Sequence, residues 1–506
     1  MTKLPTGIQT FSKIREDNYA YVDKTRDIYN LINNGTYYFL SRPRRFGKSL
    51  LIDTISELFK GSKEYFKGLF IYDKWDWSIK YPVIKINFAA GTVRTPETLN
   101  SKINFILEDN CKRLGINYNK NIDLYHLIQS AHEKYGQKVV VLVDEYDKPI
   151  IDAIKNKVVA AENREILGDF YSAIKASDEY VKFTMLTGVS KFSKVNLFSN
   201  LNNLTDITMN KTYGTITGYT QNDLETTFSK HLECANIKKV KRWYNGYNYF
   251  SEPIYNPFDI LQFIFNDFIF KNYWWETGNP TFLIETLKKS NFYIPDIDRL
   301  IVKEETLNAF DVDKIDFIAL LWQTGYLTFE KMEQFDSGIE YTMKIPNLEV
   351  KNSLNYLFLT YLTSGDTSLP NGSEVSKILK EENIESLIIN LKSLFSAIPY
   401  NNYVNNEIAN YEGYYSSVIY TFLSSLGYFT VAEDVTNRGR IDLTLKTRSA
   451  IFIFEFKVDS KEEAIKQIKE RKYYEKYQVE NKNIYIIGIN FDSESKNILE
   501  YKWEKI

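Results

Sequence analysis

Three groups of residues have types and spacings that suit chemistry. The first is Arg44-Arg45-Phe46-Gly47-Lys48-Ser49-Leu50, set between an apolar run, Tyr37–Leu40, and a helical pattern through Leu51, Ile55 and Leu58. Strand, loop, Gly-Lys-Ser and helix is the context a P-loop requires. Backbone N–H groups and a helix N-terminus there offer fixed positive potential to phosphate oxygens. Lys48 would meet the β- and γ-phosphates, and the Ser49 hydroxyl would hold Mg²⁺. The pattern places a glycine five residues before Gly47, where this chain has Arg42. A Cβ limits a tight turn there, and Pro43 would set the turn instead by fixing its own φ.

The second group is Asp144 and Glu145, which end the apolar run Val139–Val143. Acids at the carboxyl end of a buried parallel strand face the ligand crevice. Asp144 would hold Mg²⁺ through water, and Glu145 would polarise the attacking water as the catalytic base. The third group is Glu412, Asp442, Glu455 and Lys457. Asp442 lies on a strand, Ile441–Leu445, opposite in facing to Ile441 and Leu443. Glu455 and Lys457 share one side of the next strand, Ala450–Val458, about 7 Å apart. Glu412 falls on the apolar stripe of a helix from Tyr411 to Leu426, so it is expected to face the core and to need a partner such as a metal. Asp442, Glu455 and Glu412 offer hard oxygens to one or two Mg²⁺, with Lys457 orienting the nucleophile or stabilising developing charge.

The chain must build elements to hold these groups. Its 506 residues allow two to four domains at roughly 150 residues each. Strands at Tyr81–Phe88, Val139–Val143 and Tyr180–Thr187 alternate with helices at Thr95–Leu114, Leu124–Tyr135 and Ala160–Ala176, which predicts a parallel sheet with covered faces. Residues 290–395 alternate helical stretches and polar turns. Helix, three strands, a charged helix at Lys461–Tyr477 and a last strand at Ile484–Ile489 follow. The fold class is therefore α/β, with domains at 1–215, 216–395 (helical, aromatic-rich and connecting) and 396–506.

The aromatic residues Trp243, Tyr244, Tyr247, Phe250, Trp274 and Trp275 could stack nucleic-acid bases or form a core or interface; the core is the preferred reading. Tyr21-Val-Asp-Lys-Thr25 could touch a nucleotide base or pack, and packing is preferred. Net charge is −2, so no global basic footprint for nucleic acid exists. The two cysteines suit a reducing cytoplasm, and the start MTKLPTGIQTF lacks the regions of a signal peptide. No apolar stretch approaches the roughly 18 residues of a membrane span.

The segments RPRRFGKSL, VVVLVDEYD, LTGVSKFS, NLFSNLNNLTDIT and RWYNGYNY together resemble the bacterial AAA-ATPase-like family, as do the later YNPFDIL and YWWETGNP. The resemblance covers most of residues 1–285. It implies an additional-strand P-loop NTPase core with Arg45 and Phe46 inside the loop, which makes the missing glycine a family variant. In additional-strand ATPases a polar residue at the position of Thr187 senses the γ-phosphate; turn chemistry is the equal alternative. The family typically carries a carboxyl-terminal PD-(D/E)XK, restriction-endonuclease-like domain, and Asp442, Glu455 and Lys457 match that motif. Related nucleases often place a Gln and a Tyr on the following helix. Gln467 and Tyr474 are candidates, but their spacing departs from Q-x-x-x-Y and leaves their role open.

The expectation is an ATP-binding and ATP-hydrolysing protein whose Mg²⁺-dependent nuclease domain cleaves DNA under nucleotide control, with a homo-oligomer allowed. The alternative is a nucleotide-switched signalling or scaffold module whose nuclease-like domain binds without cleaving.

Overall fold

The computed structural model describes residues 2–119, 121–191, 202–274, 281–290, 292–308, 315–363, 370–398 and 412–506. Trp275, Tyr411 and the first six residues of NLFSNLNNLTDIT fall outside them. The chain divides into two compact units. One comprises residues 1–278 and 301–349, the other residues 279–300 and 350–506.

In the first unit, Val139–Asp144 (β3) is buried at every position. A strand of Val and Leu without alternation can only sit mid-sheet, covered on both faces. It lies in a five-stranded parallel sheet with Tyr37–Ser41 (β1), Val83–Asn87 (β2), Val181–Gly188 (β4) and Thr205–Asp206 (β5), in the order β2-β3-β4-β1-β5. β4 is inserted between β1 and β3, which is the additional strand. The register aligns Leu40 with Thr187 and Val143 with Leu186. The residues that follow β1, β3 and β4 therefore emerge at one sheet edge. Helix Lys48–Lys60 buries Leu51, Ile55, Leu58 and Phe59 and packs on β3. Burying each such side chain stabilises by about 1.5–3 kcal/mol, which fixes where the helix starts relative to the sheet.

The rest of this unit adds a short ladder, Asn245–Tyr247 (β6) with Ile254–Tyr255 (β7). It also contains an antiparallel sheet of Ile301–Lys303 (β8), Thr328–Phe335 (β9) and Gly338–Lys344 (β10), in the order β8-β10-β9. This sheet corrects the reading of 290–395 as helical. The outer part of β9, from Glu330 to Phe335, is exposed on both faces. It therefore carries no two-residue hydrophobic alternation to betray a strand.

The second unit is built on a mixed sheet, Phe429–Thr436 (β11), Gly439–Lys446 (β12), Ala450–Val458 (β13), Asn483–Asp492 (β14) and Asn497–Lys505 (β15), in chain order. Only β13 and β14 run parallel, joined by a crossover through helix Ala464–Glu470. That helix is shorter than expected. After Ile465 and Ile468 the next apolar positions are Tyr473 and Tyr477, so the stripe slips by one. Lys472 absorbs the slip in a left-handed conformation (φ 47°), and a 3₁₀ stretch, Tyr473–Glu480, follows. β15 is a largely exposed edge strand with charged residues, and it was not expected.

Candidate nucleotide and nuclease sites

The loop after β1 curls because Arg45 (φ 70°) and Gly47 (φ 88°) are both left-handed. Arg42 does not take part in the curl. Its backbone N–H donates to Gly188 O at 3.1 Å and prolongs the β1–β4 ladder. Its buried guanidinium donates to Ser41 O at 2.9 Å, Thr208 O at 2.7 Å and Tyr213 O at 3.4 Å, and stacks 3.6 Å above the Tyr249 ring. Three backbone acceptors and an aromatic face explain an arginine where the P-loop pattern has glycine. Pro43 follows, packed so closely on Gly325 that a Cβ there would stand 2.9 Å from Pro43 Cβ.

Lys48 is buried and donates two of its N–H groups to Arg42 O and Pro43 O, both at 2.9 Å. Burial pulls its ammonium down to about 8, opposed by the charges of Asp144, Asp147 and Glu145. A cleft of about 600 Å³ is lined by Arg44, Arg45, Gly47, Lys48, Ser49, Leu50 and Glu145, among others. Phe46, Asp144 and Thr187 lie behind that lining. The Phe46 ring is buried, edge-on to Tyr247 at 4.8 Å. Asp144 accepts the Thr187 hydroxyl at 2.8 Å. Glu145, left-handed at φ 54°, turns out of β3; burial first and Asp144 second push its carboxyl upward. Beside the cleft is a smaller, more apolar cavity of about 60 Å³ bordered by Tyr21, Phe46, Gly47, Leu50, Tyr219 and Pro257. Tyr21 both packs, edge-on to Phe11 at 5.0 Å, and borders this cavity.

In the second unit β12 and β13 pair Leu443 with Phe454, so Asp442 and Glu455 are the next residues along the two strands. Asp442 Oδ2 accepts the Phe456 N–H at 2.7 Å. Glu455 is buried; Gln467 donates to its Oε1, while its Oε2 has no hydrogen-bond partner among the described residues. Burial is the first cause of a raised pKa at both acids, and their mutual repulsion adds to it at Glu455. Glu412 begins helix Glu412–Ser425, exposed rather than directed at the core, and pairs with Lys457 at 3.7 Å. Residues before the first full helical turn do not continue its buried stripe, which is why periodicity misplaced it. Its charge still acts on Asp442 and Glu455. Among the described residues no three His, Cys, Asp or Glu side chains converge into a ready cation cage. The donor set nonetheless suits a hard cation: a buried carboxylate with an orphaned oxygen, Glu455, and a half-buried one beside it, Asp442.

A family profile described as "Predicted AAA-ATPase" matches residues 5–198, and one described as "PD-(D/E)XK nuclease superfamily" matches residues 410–501. A protein of Azotobacter chroococcum mcd 1, called "Uncharacterized protein in vnfD 5'region", is 42% identical over 512 residues, covering 100% of this chain and 99% of its own length. The chain belongs to this family of predicted AAA-ATPases with a carboxyl-terminal PD-(D/E)XK nuclease superfamily domain.

Within this AAA-ATPase-like protein, RWYNGYNY builds the back of the phosphate loop: Tyr247 supports Phe46 and Tyr249 supports Arg42. Tyr244, Tyr247 and Trp274 are buried, as a core role requires. Two site features escaped the sequence reading. Asp147 is buried and accepts the N–H groups of Val189 (3.1 Å) and Ser190 (2.6 Å) together with the Ser190 hydroxyl. Its signal was the third acid of VDEYD. Gly7, Ile8 and Gln9 line the cleft from the amino terminus, with no local motif to mark them. Gln467 does reach Glu455, whereas the break at Lys472 removes Tyr474 from the same helix. Among the described residues no helix is long and apolar enough to cross a membrane.

Proposed function

We propose that this protein binds and hydrolyses ATP and uses its carboxyl-terminal domain as a Mg²⁺-dependent nuclease that cleaves DNA under nucleotide control. The carrying observation is that one chain holds a phosphate-loop cleft facing an acid-tipped strand and, separately, a D…ExK pair with a carboxylate oxygen that has no hydrogen-bond partner among the described residues.

In the first site the triphosphate would lie along the loop, against the N–H groups of Gly47, Lys48 and Ser49. Lys48 would exchange its carbonyl partners for phosphate oxygens, a stronger charge-assisted pairing. The adjoining apolar cavity would take the base. Glu145 would accept a proton from the attacking water, and its upward-shifted pKa supports that role. Asp144 and Ser49 would hold the metal of the nucleotide, and Thr187 would keep Asp144 aligned.

In the second site Asp442 and Glu455, with Glu412 at the rim, would hold the divalent cation. Bound there, Mg²⁺ supplies activation of water and stabilisation of charge at the scissile phosphate. Lys457 would orient the water, and Gln467 would fix the Glu455 rotamer. The net charge of −2 favours a second reading, a nucleotide-switched module that binds without cutting. Assays of ATP turnover and of DNA cleavage with Mg²⁺ or Mn²⁺, with and without ATP, decide between them. ATP turnover with no cleavage of any DNA or RNA tested would leave the switch module.

A further inference from the structure

A segment from far upstream contributes to the nuclease unit. Residues 279–300 cluster with 350–506, while the chain on either side belongs to the first unit. Neither family match reaches it. Residues 293–300 contain a 3₁₀ turn, Ile294–Arg299, seated through buried Ile294, Pro295 and Ile297.

Three residues of this segment, Tyr293, Asp298 and Arg299, fix it beside the acids. The Tyr293 ring lies against Gly413, where a Cβ would stand 3.4 Å from Tyr293 Cε2, and its hydroxyl donates to Ser416 Oγ at 3.3 Å. Asp298 accepts the Tyr420 hydroxyl at 2.5 Å. Gly413, Ser416 and Tyr420 share one side of the helix whose first residue is Glu412. Arg299 donates to Glu433 O at 2.6 Å. Glu433 is the left-handed residue of β11 (φ 49°), and its charge acts on Asp442. Burial first, then the nearby Glu433 and Asp442, push the Tyr293 phenol up to about 12.

The same segment runs directly into β8 at Ile301, in the first unit. Helix Glu304–Asn308 packs on β8 and on helix Phe317–Thr324. In that second helix Gln323 accepts the Lys191 N–H at 2.9 Å, next to the Ser190 that Asp147 holds. Gly325, which ends the helix, abuts Pro43 of the phosphate loop.

We propose that residues 293–300 form a strap that completes the nuclease site and makes it respond to the nucleotide site, with Tyr293 as its positioning residue. This rests on the function proposed above. A shift of Pro43 or Lys191 on nucleotide binding would move the 317–324 helix and β8, and hence the seating of Tyr293 on the turn that presents Glu412. Coupling of this kind is read as a response of the nuclease unit to nucleotide.

The experiment uses the full chain, with hydrogen exchange of segments 412–425 and 429–436 followed with and without a non-hydrolysable ATP analogue and Mg²⁺. Wild type should change protection there by about threefold or more. Arg299→Ala should lose that response while binding the analogue within about twofold of wild type. An unchanged response in Arg299→Ala, or no response in a wild type that binds the analogue, overturns the strap alone. A wild type that does not bind the analogue overturns the nucleotide reading, and the strap with it. Tyr293→Phe keeps the ring and removes the hydroxyl. It should lower kcat for metal-dependent DNA cleavage about tenfold with KM nearly unchanged. Cleavage equal to wild type would remove Tyr293 from the proposal, and a raised KM with unchanged kcat would contradict a positioning role.

Discussion

Lys48 and Glu455 are both buried charges, but the protein treats them differently. Lys48 has two backbone carbonyls at 2.9 Å, and Asp144 has the Thr187 hydroxyl at 2.8 Å. The phosphate loop is thus satisfied internally, and a ligand must displace bonds to enter. Glu455 keeps an oxygen without a hydrogen-bond partner among the described residues, and Asp442 stands beside it. A buried carboxylate and a half-buried one beside it repel when both ionise, so that site is stable only with a shared proton or a cation. The difference assigns the sites different thermodynamic dependence. The first should fold without nucleotide, which adds only the stability that binding to a folded site brings. The second should gain stability from divalent ions.

The largest expected effect tests the second site. Asp442→Ala, Glu455→Ala or Lys457→Ala should each reduce DNA cleavage by about a thousandfold or more, because each removes a group acting on the metal or on the water. ATP turnover should remain. Glu455→Gln should also abolish the rise in Tm produced by Mg²⁺ or Mn²⁺. A divalent-ion shift in Tm that survives in Glu455→Gln would show that the cation binds elsewhere.

The first site is tested from the nucleotide side. Glu145→Gln should retain ATP binding and lose about a hundredfold or more in turnover, since shape is kept and the base removed. Lys48→Ala should weaken ATP binding by about a hundredfold, measured by calorimetry. Turnover of Glu145→Gln within a few-fold of wild type would place the base on another residue, and equal ATP affinity in Lys48→Ala would overturn the P-loop assignment.

Arg42 separates fold from function in the same loop. Arg42→Gly restores the general P-loop pattern but leaves Ser41 O, Thr208 O and Tyr213 O without their guanidinium partner and opens space beneath Tyr249. We expect a loss of about 3 kcal/mol in stability, seen as a lower urea midpoint, with no gain in ATP affinity. Tighter ATP binding without destabilisation would mean that Arg42 obstructs the loop.

That residue also shows what the sequence could reveal. Local grammar was sufficient for the central strands of the two sheets, because Val139–Val143 and Ala450–Val458 are continuous apolar strands ending in, or interrupted by, acids. The strand–loop–helix around Lys48 likewise has local signals. The role of Arg42 does not, since its partners lie at 208, 213 and 249. Nor do β9 and β15, whose exposed faces carry no hydrophobic alternation. Glu412 was misdirected by counting a helical stripe into the first turn. Asp147 and the strap at 293–300 gain meaning only when chain segments far apart in sequence meet.

The smallest effect concerns a third buried charge, which tests whether the first unit is internally satisfied throughout. Asp259 lies fully buried in helix Pro257–Phe265, with Glu349 beside it and Tyr247 and Tyr244 within electrostatic reach. Glu349 accepts the Trp274 N–H at 2.8 Å, and Tyr247 in turn supports Phe46 of the phosphate loop. Burial pushes the Asp259 carboxyl from its ordinary 3.8 up to about 7. Between those values the folded protein holds a proton that the unfolded chain has released. Folding stability attributable to Asp259 must therefore fall as pH rises from about 4 to 7 and level off above that, with a slope of at most about 1.4 kcal/mol per pH unit. Asp27, Glu145 and Asp147 are also shifted upward and slope the same way, so the quantity to measure is wild type minus Asp259→Asn. Asn keeps the shape and cannot titrate. The difference in first-transition Tm between the two proteins should favour wild type at pH 5 and shrink or reverse by pH 8. A difference independent of pH would mean that Asp259 is ionised in the folded protein, and that the first unit, like the nuclease site, carries an unresolved buried charge.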